Sequence, residues 1–361
     1  MHLEQLRSML ERNGPFVSVY ADVSRTSEAG RQQVDARSTS VRHELEHLGV
    51  SSDLREELVA RLAEVTHLHG DVRRSLVAAD EEIVFDDTLM GGSRWPEGVE
   101  LGPLPSVSGW ATQLDGQFPF LLVVADREGA DIDVHVALSR PSADHKEVHG
   151  STLHIRKVPE GDWAQKEFQQ RSENVWAANA RLVAERVRTA HAHYRPRLVV
   201  LAGDVRARTD LTKALDGLPV PVEQVESGGR GAGASEQALW DDVRRILARY
   251  EADAERDIAE RLERGTATGS GVARGIEDVL DALVGGEVDT VVADLDAAHQ
   301  MSVRPADHPG LALPPSALEA DELPADQVLL AAGAATGAQL SVLPRELSHG
   351  AGVAALLRWD E

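Results

Sequence analysis

Phe120-Leu-Leu-Val-Val-Ala125, Asp126-Arg-Glu-Gly-Ala130 and Asp131–Leu138 follow one another without a break. The first is a continuous apolar run of strand length, the second a cluster of turn formers, and the third a second strand; together they predict a β-hairpin. After a polar stretch, Phe168, Val175, Trp176, Leu182, Val183 and Val187 recur at helical spacing. That period predicts one long helix from about Trp163 to His193. Leu198-Val-Val-Leu-Ala202 is another buried strand, closed by Gly203-Asp204. A helix over Ala207–Leu215 and a short strand over Val220–Val225 complete an α/β unit. Ser227-Gly-Gly-Arg-Gly-Ala-Gly233 then reads as a flexible loop.

Outward from this centre, the N-terminal segment opens with a helix (Leu3–Arg12), a stop at Asn13-Gly14-Pro15 and an alternating strand, Phe16–Tyr20. Helices follow over Glu28–Leu48 and, capped by Ser51-Ser52-Asp53, over Leu54–Leu68. Glu82–Asp86 reads as a strand, and the Gly/Pro-rich stretch from Gly91 to Ser108 as loops that end at a boundary. On the C-terminal side, a charged helix is predicted from Ser235 to Arg264, a loop over Gly265–Gly271, a helix over Val272–Leu283 and a strand over Val288–Ala293. Pro305–Ala325, rich in proline and acid, reads as an exposed insertion. Val328–Gly333 and Gln339–Leu343 are short apolar elements, and Gly350–Arg358 is a terminal core element. The expected architecture is α/β and multi-domain: an N-terminal α/β domain (1–110), an RNase H-like middle domain (111–233) and an α/β/α sandwich (234–361). The RNase H-like character of the middle domain rests on the resemblance given below.

The chain has 361 residues, of which 37 are Lys or Arg and 60 Asp or Glu, for a net charge of −23. So acidic a chain is a poor general nucleic-acid binder, because phosphate contact needs Lys and Arg. The charge is uneven, however. From Ser151 to Asp210 there are 11 basic and 7 acidic residues, a local balance of +4 that leaves −27 for the remainder. The chain has no cysteine, which excludes disulfides, thiolate metal sites and a cysteine nucleophile. No basic n-region precedes an apolar run at the start, and no stretch approaches the roughly 20 apolar residues of a membrane span. A cytoplasmic protein with no membrane partner and no cofactor is expected.

One literal enzyme motif is present. His43-Glu44-Leu45-Glu46-His47 fits H-E-x-x-H, which can hold Zn²⁺ between two imidazoles with Glu44 as general base. A third ligand would come from Glu64, His67 or His69; the plain alternative is a solvated helix face. Gly269-Ser-Gly271 with Gly275 follows a helix and lacks a Lys-Ser/Thr, so it fits neither phosphate-loop pattern and reads as a helix entry. Asp294 and Asp296, at a strand end, are turn formers or cation ligands. Gly161-Asp-Trp-Ala-Gln-Lys-Glu-Phe-Gln-Gln-Arg171 is more informative. Here an aromatic, Trp163, stands beside Gln, Lys and Arg at the tip of the long helix, a combination suited to stacking on RNA and to phosphate contact.

A hairpin, a Gly-polar-Gln loop, a long basic helix and a Leu-Val-Val-Leu-Ala-Gly strand resemble the middle domain of archaeal and eukaryotic release factor 1. Gly275-Ile-Glu-Asp-Val-Leu-Asp-Ala-Leu283, Gly286-Glu-Val-Asp-Thr-Val-Val-Ala293 and the close Gly350-Ala-Gly-Val-Ala-Ala-Leu-Leu-Arg358 resemble that family's C-terminal domain. The resemblance covers Phe118 to Trp359. Within the release factor–Pelota superfamily the chain most resembles the actinobacterial branch of bacterial homologues that includes Balon-type hibernation factors.

The resemblance implies a 70S ribosome partner at the A site and its rRNA, protection of idle ribosomes under stress, and association with EF-Tu or a related translational GTPase. It implies no DNA partner. Trp163 and Ala164 stand where the family has Gly-Gly, and Gln165 where it has its catalytic Gln. Lys157, Lys166 and Arg171 are the implied RNA contacts. Gly-Gly permits close backbone approach and φ > 0, which Trp and Ala resist. The expectation is therefore a factor without release chemistry. The alternatives are a peptidyl-tRNA hydrolase, release or rescue factor using Gln165, and a zinc hydrolase at His43 and His47. The N-terminal segment lacks the family's Asn-Ile-Lys-Ser stop-codon reader.

Overall fold

Phe16–Asp22 forms β1, and both of its faces are buried. Alternation sends Val17, Val19 and Ala21 to one side of the strand and Phe16, Ser18 and Tyr20 to the other. In the computed structural model β1 lies between helix α1 (Glu4–Leu10) and helices α2 (Glu28–His47) and α3 (Ser52–Ala63) in chain order. Ser51 caps α3 by accepting from the Leu54 N–H, as its sequence predicts. Strands β2 (Val72–Ala79), β3 (Glu82–Met90) and β4 (Gly98–Gly102) complete an antiparallel sheet in the order β3-β2-β1-β4. Helix α4 (Ser108–Asp115) follows. Val41 and Leu45 of α2 and Leu54, Leu58 and Leu62 of α3 cover the Val17/Val19 face. Phe16, Tyr20 and Val77 face a larger core shared with α1, α4 and the C-terminal segment.

The structure describes residues 1, 3–25, 28–66, 71–91, 93–126, 128–135, 144–149, 162–230, 235–342 and 352–359. Two compact units divide the chain: 1–117 with 253–361, and 118–252. The division expected at 110/111 lies inside α4, and the one expected at 233/234 lies before the second unit ends.

The middle unit contains β5 (Phe120–Ala125), β6 (Gly129–His135), β7 (Asp144–His149), α5 (Asp162–Tyr194), β8 (Leu198–Gly203), α6 (Val205–Ala214), β9 (Val222–Gln224) and the first half of α7 (Glu236–Thr268). The sheet order is β7-β6-β5-β8-β9. β5, β6 and β7 are antiparallel, whereas β8 runs parallel to both β5 and β9. That 3-2-1-4-5 order, with three antiparallel and two parallel strands, is the expected RNase H-like arrangement. Leu121, Val123, Val199 and Leu201 meet Val183 and Val187 of α5 and Leu211 of α6 on one face. Phe120, Leu122, Leu198 and Val200 meet Leu239, Trp240, Val243 and Leu247 of α7 on the other. Burial on both faces is why β5 and β8 read as unbroken apolar runs.

The C-terminal segment continues with β10 (Val272–Arg274), α8 (Ile276–Gly285), β11 (Val288–Ala293), α9 (Leu295–His299), β12 (Ser302–Val303), a 3₁₀ turn (Pro305–Asp307), α10 (Pro315–Leu318), β13 (Leu323–Pro324), α11 (Ala325–Thr336), β14 (Gln339–Val342) and β15 (Val353–Leu357). The sheet order is β10-β15-β11-β14. Ile258 and Leu262 of α7 cover the face of Val292, Ala354 and Leu356. The opposite face, with Val291, Ala293 and Ala355, packs against α8 and α11 in the large core. This is the α/β/α sandwich expected of the segment.

Four expectations need correction, the first being that Gly91–Ser108, read as loops, contains the strand β4. α7 continues through Gly265 to Thr268 and stops only where Gly269 turns left-handed at φ +72°. Val272–Arg274 is a strand paired with β15, not helix; Gly275 at φ +80° breaks the chain there and caps α8. The Pro305–Ala325 stretch is not an exposed insertion. Its acids point outward, but Pro305, Leu311, Leu313, Ala317 and Leu323 are buried. Among the described residues, no helix is long and apolar enough to cross a membrane.

Candidate functional site

The basic segment singled out in the sequence is carried by α5. At about 1.5 Å per residue its 33 residues extend roughly 50 Å. The helix packs on the sheet through Val183, Ala184, Val187 and Ala190. Trp163, Ala164, Gln165 and Lys166 belong to its first turns, and Arg171 follows on the same helix. The side chains of 162–176 lie outside the described residues, as does Lys157 altogether. Along the helix axis, Gln165 and Val183 are about 27 Å apart. The sequence therefore builds an anchor at one end of α5 and carries the Trp-Ala-Gln tract at the other.

The anchoring end has its own requirements. Gly203 adopts φ +103°, and a Cβ placed there would lie 2.0 Å from the Ala125 carbonyl oxygen. That same oxygen accepts the Asp204 N–H at 2.9 Å. Asp204 in turn caps α6, accepting from Arg206 and Ala207. Only glycine allows β5 and β8 to approach so closely at this point.

Arg230 was read as part of a flexible loop, but it is held firmly. Its Nε donates to Asp131 at 3.0 Å and its Nη1 to Asp126 at 3.1 Å. Asp126 also accepts the N–H groups of Glu128 and Gly129, which closes the β5–β6 turn. Burial by itself would lower the Arg230 pKa; the adjacent Asp131 and Asp126 outweigh it and hold the guanidinium above its ordinary value. This cation ties a loop to a hairpin and is not available for phosphate. Ser227 likewise donates to Asp242.

Other basic groups in the unit divide by partner. Arg188 donates to the Ala214 carbonyl at 2.6 Å, and buried Arg208 donates to Val225 O at 2.6 Å. The Arg197 guanidinium sits 4.5 Å over the Phe118 ring. Arg181 and Arg186 are exposed on α5. They extend the basic character of that helix toward its anchored half.

The remaining sequence candidates resolve as follows. His43 and His47 are exposed on α2. Glu44 accepts from Ser40 Oγ at 3.1 Å, and Glu64 is occupied by Arg74 at 3.3 Å. Among the described residues no group of three His, Asp or Glu could hold a metal ion; His67 and His69 lie outside them. Gly269, Gly271 and Gly275 all have positive φ around the entry to β10 and α8, consistent with a structural glycine loop. Asp294 caps α9 by accepting from Ala297 N at 3.0 Å.

Residues 119–268 match the model of bacterial archaeo-eukaryotic release factor family 2. Two Mycobacterium tuberculosis sequences, from strains CDC 1551 / Oshkosh and H37Rv, are each described as an uncharacterized protein. Both are 28% identical to this chain over 379 residues, covering 99% of it and 97% of their own length. Among solved structures, the chain is similar to archaeal termination factor aRF1 (14% identity, 98% of this chain and 96% of that one, TM-score 0.24). It is also similar to Archaeoglobus fulgidus Pelota (12%, 99% and 91%, TM-score 0.32). A third similar structure is ribosome-bound archaeal Pelota with ABCE1 (14%, 99% and 94%, TM-score 0.42).

Proposed function

We propose that this chain is a member of the release factor–Pelota superfamily, a reading supported by the family match over residues 119–268, and a cytoplasmic ribosome-binding factor that occupies the A site and protects idle ribosomes without releasing the nascent peptide. One observation carries the second half of that reading. In a release-factor-like segment, the tract at the start of α5 is Trp163-Ala164-Gln165 where release chemistry calls for Gly-Gly-Gln. Hydrolysis of the peptidyl-tRNA ester demands that a backbone N–H and a water be held at the carbonyl within hydrogen-bond distance. A Trp and a Cβ-bearing residue in place of two glycines oppose that approach. In this account Trp163 fills space near the peptidyl-transferase centre, while Lys157, Lys166 and Arg171 contact rRNA phosphates. The long α5 reaches inward from a unit that stays outside, and EF-Tu or a related GTPase is the delivering partner.

Retention of Gln165 supports one rival, a hydrolase or rescue factor that uses this side chain. Two measurements separate the readings. Purified protein is sedimented with vacant 70S ribosomes, wild type against Lys166→Glu/Arg171→Glu. The double variant is expected to lose co-sedimentation. With two phosphate contacts gone, the slope of log K against log salt falls by about 1.5. Peptidyl-tRNA hydrolysis on programmed ribosomes is then compared for wild type and Gln165→Ala. Turnover by the wild type that the variant lacks would establish the rival. Absence of ribosome binding, with or without EF-Tu, would overturn both.

A further inference from the structure

Asp326, the second residue of α11, is completely buried. Its Oδ2 accepts from the Ser108 hydroxyl at 2.6 Å and pairs with Nδ1 of His299 at 3.2 Å. Its other oxygen has no hydrogen-bond partner among the described residues. Taking a carboxylate out of water is costly, and a side chain needed only to join α4, α9 and α11 would do so more cheaply as an apolar residue. What this arrangement achieves is the fixing of an imidazole. With the Nδ1 proton directed at Asp326, the ring plane and the place of its Nε2 edge are set. The Trp95 ring meets His299 edge-on at 5.5 Å and holds its plane.

His299 lines a cavity of about 200 Å³ within the unit 1–117/253–361. Tyr20 and Trp95 supply aromatic wall. They come together because position 109 is glycine: a Cβ there would lie 2.7 Å from Trp95 Cδ1 and 2.8 Å from Tyr20 Cε1. The charged side chains that line the cavity are Glu97, Glu100 and Asp296, all acidic. Glu97 is already paired with Arg37 and Arg73. Among the described residues Glu100 accepts from a neutral amide, that of Gln327, at 3.1 Å. No ion pair engages Glu100 among the described residues, and Asp296 is exposed. The Tyr20 hydroxyl donates to Gln113 at 2.8 Å and its oxygen is engaged by Ser93, so what Tyr20 brings to the cavity is ring surface. The inventory is one of acceptors and ring faces, which is the complement of a donor-rich cation.

We infer that this cavity binds a small organic cation, a primary ammonium or guanidinium on a short aliphatic stem, with its head at Glu100 and His299 Nε2 and its stem along Trp95 and Tyr20. The inference is independent of ribosome binding. Asp326 and Ser108 are positioning residues that fix the orientation of the His299 ring.

The test is titration of the full chain with agmatine, followed by calorimetry and by the ring ¹⁵N–¹H signals of His299. Saturable binding is expected, with His299 shifted and buried His308 unmoved. 1,4-Butanediol, which has the same four-carbon stem and no charge, and acetate should not bind. Glu100→Gln and His299→Gln, both at the cavity surface, should weaken agmatine about tenfold or more. Asp326→Asn should do the same and also change the His299 tautomer signature, because an amide turns its own N–H toward Nδ1. A role confined to structure would lower the melting temperature in Asp326→Asn and leave all ring signals indifferent to agmatine. No saturable shift at 10 mM-range agmatine (about 10³ times a typical protein concentration), equal binding by Glu100→Gln and His299→Gln, or preference for acetate would each overturn the assignment.

Discussion

Gly203→Ala is the sharpest perturbation the middle unit offers. The new Cβ would lie 2.0 Å from the Ala125 oxygen and 2.9 Å from that residue's carbonyl carbon and nitrogen. Carbon and oxygen need more than 3 Å, and all the opposing atoms are backbone, so β5 and β8 must separate by about 1 Å. Separation breaks the 2.9 Å bond from Asp204 N–H to Ala125 O and leaves a buried carbonyl short of a partner, at about 1–3 kcal/mol. An L-residue held at φ +103° adds about 1–3 kcal/mol. Disturbing the Asp204 cap of α6 adds about 1 kcal/mol. The total is about 3–7 kcal/mol, a large part of the ~5–15 kcal/mol of an ordinary domain. Gly217→Ala is the control. Its φ is +76°, but nothing lies within 4 Å of the added methyl, so only about 1 kcal/mol is expected. Urea unfolding followed by hydrogen exchange of the Phe120–Ala125 and Leu198–Gly203 amides reads the unit directly. If Gly203→Ala lies within about 1 kcal/mol of wild type, or no further from it than Gly217→Ala, the close-approach argument fails.

Arg230→Leu should release the Gly-rich loop from the hairpin. Because Asp126 and Asp131 are each about a third exposed (35% and 28%), solvent screening limits the loss to about 1–3 kcal/mol, measured as a shift in the urea midpoint. Asp22 is a pH probe. Burial alone would raise its carboxyl, but the Ser24 hydroxyl and N–H, together with Arg37 and Arg73, outweigh it and hold the pKa below the ordinary value. A depressed folded-state pKa means that its stabilisation is present above the unfolded-state value and is lost as pH falls through the folded one. Asp22→Asn should therefore flatten the acid limb of the stability–pH curve between those two values. Equal slopes for variant and wild type in thermal melts from pH 5 to below about pH 3 would contradict this.

The sequence by itself determined the elements that are buried on two faces or one regular stripe. β5 and β8 are unbroken apolar runs, α5 declares its period, and Ser51 announces the start of α3; each signal is local. The release-factor resemblance of the middle segment, matched over residues 119–268, was legible for the same reason, since its motifs are contiguous. β7, Asp144-His-Lys-Glu-Val-His149, escaped notice because an edge strand can be polar throughout and owes its conformation to pairing with β6. The 305–325 stretch was misjudged because its anchors, Leu311, Leu313, Ala317 and Leu323, keep no period; only the shape of the core they plug selects them. The held position of Arg230 depends on carboxylates about a hundred residues away. The cavity site is the extreme case. Tyr20, Trp95, Ser108, His299 and Asp326 share no motif and no spacing, and nothing in one dimension links them. Hydrogen-bond and ring contacts act over a few ångströms in space, so it was the tertiary structure, folding residues 1–117 and 253–361 around one core, that decided they would meet.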